Sequence, residues 1–292
     1  RTAHSDQFDI SLSGSKNKIR YYTSLGFLNE KGIVINSYYK RITSRTNVDY
    51  QATDRLKFMS RFNVAYTNKN NINTGKVLSQ ALKRPPQMAL YFPDGSYVYN
   101  NGGQFNPIAD AYERINETTV YDMLLYQGFE YKLWKNIVWT GNVQGNYKVS
   151  RTDELEPGRL VSSGVTSGSN KAVLARKLAA ETYINWNQDF GSHNVNAMVG
   201  TSVEDWYDEN FTLEGSNYVS DGILSSNAQE IKDVANTVST FSDHVMAAFF
   251  GRFGYSYKGR YIFSSNLRYD GSSRFVAQRW VLFPSASAAW RM

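Results

Sequence analysis

A chain of 292 residues with a net charge of +6 has the length for one large β domain. Its mean hydropathy of −0.48 excludes a bundle of membrane-spanning helices, and the longest purely apolar run, Val245–Phe250, falls far short of the ~20 residues such a helix needs. The absence of cysteine excludes disulfides and thiolate metal sites, and basic residues scattered along the chain rather than gathered into stripes argue against nucleic acid.

In chain order, apolar and polar residues alternate with period two at 8–12, 19–27 and 42–50. In 56–66, Leu56, Phe58, Phe62, Val64 and Tyr66 share a face opposed by Lys57, Arg61 and Asn63. The alternation returns at 121–133. In 137–149, Ile137, Trp139, Val143, Tyr147 and Val149 oppose Thr140, Asn142, Gln144, Asn146 and Lys148. It continues at 178–186, 195–203, 247–257, 261–269 and 284–290, which makes eleven expected strands. Each is close to the ~9–11 residues that cross a bilayer at a tilt. Tight turns are expected at 14–18, 51–55, 134–136, 189–193 and 258–260. Long polar loops are expected at 29–40, 68–118, 151–176, 205–244 and 271–282. Short and long connections alternate, as in outer-membrane barrels with short periplasmic turns and long extracellular loops.

With apolar faces turned to lipid, Arg45, Arg61, Arg252 and Arg268 point into the lumen. A Lys or Arg facing lipid at the midplane costs roughly 2–4 kcal/mol, so this register is strongly preferred over a slipped one. The 21 Tyr and 6 Trp fit the same reading, because rings with a polar tip suit the water–hydrocarbon boundary. Tyr131, Trp134, Trp186, Phe190, Tyr257 and Tyr261 are expected in such a girdle. The fold class is therefore all-β, a transmembrane antiparallel barrel. The chain opens on Arg1 without a signal-like segment and ends on Met292 inside a strand-like pattern. It is read as part of one barrel domain, 1–292, with the plug and the barrel C-terminus lying elsewhere.

Several stretches resemble the SusC/RagA family of TonB-linked outer-membrane proteins: IRYYTSLGFLNEKGIV at 19–34, NVDYQATDRLKF at 47–58 and ALKRPPQMALYFPDGSY at 81–97. FFGRFGYSYKGRYIFSSNLRYDGSSRF at 249–275, followed by FPSASAAWR at 283–291, is the most specific. The resemblance implies a 22-stranded barrel plugged from the periplasmic side, the size for which a plugged lumen is known. It also implies a SusD-like lipoprotein lid, a TonB complex acting through regions outside this chain, and import of oligosaccharide or peptide across a Gram-negative outer membrane. No cofactor is implied. The rival reading is an adhesion or assembly barrel that binds partners without transport.

The loop aromatics Tyr91, Phe92, Tyr97, Tyr99, Phe105, Trp206 and Tyr207 are candidates for substrate contact by ring stacking, against plain loop packing. The neighbours Ser242, Asp243 and His244 suggest a hydrolytic trio on paper, but triads converge in space rather than in sequence, and no enzyme is expected. Asp205, Asp208 and Glu209 could offer oxygens to Ca²⁺, although their spacing completes no loop motif.

Overall fold

The computed structural model describes residues 2–220 and 231–292. Eleven strands form one antiparallel sheet in which each strand pairs with its neighbours in sequence. They are β1 (His4–Lys16), β2 (Ile19–Lys31), β3 (Tyr38–Gln51), β4 (Leu56–Asn70), β7 (Ile115–Trp134) and β8 (Ile137–Glu156), followed by β9 (Ser167–Phe190), β10 (His193–Tyr218), β11 (Ile231–Tyr257), β12 (Tyr261–Ser272) and β13 (Trp280–Trp290). This meander is the wall of an up-and-down barrel. A two-stranded hairpin, β5 (Asn100–Asn101) with β6 (Gln104–Phe105), lies in the long connection after β4, between helices α1 (Thr74–Lys83) and α2 (Pro107–Glu113). No helix among the described residues is long and apolar enough to cross a membrane.

The five tight turns fall where the sequence puts them. At the β11–β12 turn Lys258 and Gly259 both take positive φ, 51° and 62°. They are the central residues of a turn closed by the Arg260 N–H on the Tyr257 carbonyl at 2.9 Å, and their left-handed values give it the twist of antiparallel strands.

Two of the expected long loops are largely strand. The 151–176 segment holds the end of β8 and the start of β9, and 205–244 holds the end of β10 and the start of β11. The tip of the second, 221–230, lies outside the described residues. Strands β9, β10 and β11 run to 24, 26 and 27 residues, more than twice the ~9–11 that hydrocarbon requires. They therefore continue as tall hairpins on the extracellular side. Water bathes both faces there, so nothing enforces an apolar–polar alternation and the strand signal fades.

The extracellular connection 71–114 folds onto these hairpins. Asn73 caps α1 by accepting from the Lys76 backbone at 2.9 Å, and Asn106 caps α2, with Pro107 in its first turn. Beneath the helices Ile72, Val77 and Ala111 form one small core, while Leu155 and Tyr218 form another. Leu160, on the short turn Gly158–Leu160 between β8 and β9, is fully buried. Leu160→Ala is expected to cost this cap ~2–5 kcal/mol of local stability. Limited proteolysis would show faster cutting at 157–166 while the membrane strands resist.

Candidate functional site: the lumen wall and its extracellular mouth

Strand register decides which side chains share the wall. Arg45 pairs with Asn63 and Arg61 with Asn47, and these rows continue into Ser24 on β2 and Tyr126 on β7. The same face carries Asn142 and Gln144, Glu181, Met198, Arg252, Asn266 and Ser285 in successive strands. Arg268 stands opposite Phe250 on this face as well. The four arginines thus lie on one continuous polar surface. The opposite face carries Phe8, Ile10, Leu25, Phe62, Leu125, Val199, Phe253 and Leu267, all exposed in the isolated wall. Tyr257, Tyr261 and Trp290 stack in series beside the tight turns, and Tyr66 meets Tyr121 at the other end of the band, ring centroids 5.2 Å apart. Two aromatic girdles bounding an apolar belt are what a lipid-facing surface requires.

Within the lumen face, Arg61 bonds Asp49 at 2.5 Å, and Lys57 reaches the same carboxylate at 3.3 Å. Arg45 donates to Asn63 at 3.1 Å, and Arg268 to Asp270 at 2.6 Å. Arg252 makes no ion pair or side-chain hydrogen bond among the described residues. It is left as an open cation on the wall.

Higher up, Trp206 sits on β10 rather than in a loop. Its register neighbours are Lys177 on β9 and His244 on β11. The Lys177 ammonium lies 4.1 Å from the ring centroid and the His244 ring stacks at 5.6 Å, so the two flanking strands cover the indole. Its Nε1 donates to Glu204 at 3.2 Å, and Arg274 lies 3.1 Å from His244 Nδ1. Tyr207, one residue on, is also on the strand and faces outward, with Arg176 over its ring at 5.4 Å. The same alternation separates the Ser-Asp-His neighbours: Ser242 and His244 lie on the lumen face and Asp243 on the other, so the trio does not converge. Likewise Asp205 and Glu209 point outward, while Asp208 points to the lumen.

The remaining candidate aromatics sit in the folded cap. Tyr91 and Tyr97 form an isolated bridge with rings 5.4 Å apart, and Tyr99 continues the ladder at 6.1 Å. Arg159 covers Tyr99 at 5.0 Å, and the Tyr99 hydroxyl donates to Glu113 at 3.0 Å. Tyr91 and Phe92 remain exposed, at 46% and 52%. Phe105, on β6, is half-buried.

Inspection of the sequence does not single out the groups that fasten this cap. Arg114 donates to buried Asp110 through Nε at 2.9 Å and Nη2 at 2.8 Å, and also pairs with Glu156. Lys76 reaches Glu156 at 3.1 Å, and Arg159 holds Glu113 at 2.8 Å. Burial alone would raise the Glu156 carboxyl; hydrogen bonds from Arg114 and Lys76 outweigh it and hold the group below the ordinary carboxylate range. A lowered folded value means the latch contributes fully above the unfolded value of ~4.3 and is lost as pH falls through the folded one. Protease resistance of residues 71–114 is therefore expected to persist at pH 7 and to fall away below about pH 4.

Beside the latch lies a polar hollow of about 400 Å³, lined on the lumen side by Asn73, Arg114, Asn116, Glu154, Ser169 and Glu214. Ser169 donates to Glu154 at 3.0 Å, and Asn236 to Glu214 at 3.2 Å. The hollow offers carboxylates, amides and hydroxyls to a ligand rich in hydrogen-bond donors.

No family model matches the chain. A TonB-dependent receptor of Formosa agariphila, P39, is 27% identical over 291 residues, covering 98% of this chain and 28% of that protein. SusC of Bacteroides thetaiotaomicron, also a TonB-dependent receptor, is 25% identical over 340 residues, covering all of this chain and 31% of that protein. The chain is similar along essentially its whole length to TonB-dependent receptors, SusC among them. It spans about three-tenths of the length of these relatives. The fold agrees: the RagAB peptide transporter superposes with a TM-score of 0.80 at 18% identity, over 97% of this chain and 34% of that one. The ferric citrate transporter FecA superposes more loosely, with a TM-score of 0.54 at 10% identity. The eleven strands thus match a wall segment of the barrels to which the chain is similar.

Proposed function

We propose that this SusC-type wall belongs to an importer that draws nutrient oligomers, oligosaccharide or peptide, across the outer membrane of a Gram-negative bacterium. TonB supplies the energy through regions outside the chain, and a SusD-like lipoprotein covers the mouth. The observation that carries this reading is the match to receptors named TonB-dependent along essentially the whole chain, a chain whose strands build one polar face. A peptide importer's fold among the structural neighbours keeps peptide beside sugar as the cargo class. The polar hollow beside the latch would meet a ligand between mouth and lid. Arg252, unpaired on the wall below, would receive an anionic group of cargo or plug.

The test is uptake by intact cells lacking the gene, with and without TonB, on labelled oligosaccharides and oligopeptides. Restored uptake that requires both the gene and TonB is expected. Surface binding of cargo without TonB-dependent accumulation would instead favour the adhesion reading.

A further inference from the structure

The lipid-facing side carries a trough that import does not explain. One cross-strand row runs Phe58, Phe129, Gly141, Thr182 and Thr201, and the adjacent row runs Ser60, Gln127, Val143, Ala180 and Val203. The trough follows these rows and encloses about 450 Å³. Its depth comes from the small side chain of Ala180, while the Phe129 ring lies over Gly141 and forms part of the wall. Its flank is the Phe129–Trp139 pair, edge to face at 4.8 Å.

Three of its polar side chains bond within the wall. Ser60 donates to Gln127 at 2.6 Å, Trp139 Nε1 to Thr182 at 2.7 Å, and Thr182 in turn to the Thr140 carbonyl at 3.1 Å. A surface so arranged offers hydrocarbon an almost wholly apolar bed, with few donors left to face lipid.

Position and charge name the occupant. Four interstrand steps make the trough roughly 19 Å long; it crosses the tilted strands and so climbs obliquely through the leaflet, which suits one acyl chain where the hydrocarbon is ~15 Å deep. Its lower end, Phe58, lies two residues above the turn between β3 and β4. There Arg55 and, on the adjoining β7–β8 turn, Lys135 are both exposed and without ion pairs among the described residues. A backbone bond from Lys132 to the Arg55 carbonyl, 2.8 Å, keeps the two turns side by side. Asp54 offsets one of the two cations. We propose that the trough holds one acyl chain of an anionic phospholipid from the periplasmic leaflet, its phosphate held by Arg55 and Lys135.

The test uses the full-length protein purified from outer membranes in detergent and titrated with phosphatidylglycerol bearing brominated chains, with brominated phosphatidylcholine alongside. The Trp139 signal is taken as the difference from Trp139→Phe. Saturable quenching is expected, about fivefold tighter for the anionic lipid. Ala180→Phe, which fills the trough from its open side, should abolish saturation. Arg55→Glu with Lys135→Glu should remove the headgroup preference and leave chain quenching in place. Unsaturable quenching, or quenching equal in wild type and Ala180→Phe, overturns the proposal, as does a trough closed to lipid because a second copy or another protein fills it. Barrel folding of each variant is checked by heat-modifiable gel migration. Import measured in parallel separates failure here from failure of the transport reading.

Discussion

Replacing Arg114 with alanine is expected to release the extracellular cap while leaving the barrel folded. Among the described residues Arg114 is the only cation bonded to Asp110, which lies in the first turn of α2 with its side chain 1% exposed. Removing one partner of a buried pair leaves the other charge uncompensated, at a cost of ~3–5 kcal/mol. The cap has two small apolar clusters to set against that loss. Its local opening should rise by two orders of magnitude or more, visible as rapid cutting within 71–114 and as faster amide exchange in α1 and α2. Lys76→Ala is the contrasting variant. Lys76 meets the same Glu156, but both side chains are about one-third exposed, and pairs of that kind contribute ~0–1 kcal/mol. Equal effects from the two substitutions would show that the latch does not depend on the buried aspartate. If the hollow beside Arg114 takes part in cargo capture, Arg114→Ala should also lower uptake at limiting cargo, more than Lys76→Ala does.

The wall was legible because hydrocarbon enforces a contrast. In β4 and β8 every second residue answers to lipid, and a slip by one would turn Arg61 or Lys148 into the bilayer. That contrast ends where the membrane ends. Past Val203, β10 carries Glu204, Trp206 and Asp208 on one face and Asp205, Tyr207 and Glu209 on the other. Both faces meet water, so the strand reads as a loop, and Trp206 and Tyr207 as loop aromatics. Register then sends one into the lumen and the other out. The cap was illegible for a different reason. Lys76 and Glu156 are 80 residues apart, and Arg159 and Glu113 are 46 apart. Only the pairing of β7 with β8 and the docking of α1 and α2 bring them together, so no local pattern marks them. The Asn73 and Asn106–Pro107 caps were the local signals available, and each fits a polar turn equally well.

The assignment of faces can be broken with one pair of substitutions. Leu125 on β7 points outward near the middle of the apolar belt, and Gln144 on β8 points to the lumen, opposite Tyr126. Leu125→Arg places a guanidinium in hydrocarbon at mid-depth, at a cost of ~2–4 kcal/mol, whereas Gln144→Arg puts the same group in a wet interior at little cost. Folding of the full-length barrel into lipid vesicles, followed by denaturant titration, should show Leu125→Arg destabilised by that amount and Gln144→Arg close to wild type. A cation near the membrane surface can snorkel to the interface, which is why the belt's centre is the decisive depth. The reverse ranking would turn the sheet inside out, with an apolar lumen and the arginines Arg45, Arg61, Arg252 and Arg268 directed at lipid. The polar hollow would then open away from the conduit and the trough would lie within it, so both functional readings depend on this one orientation.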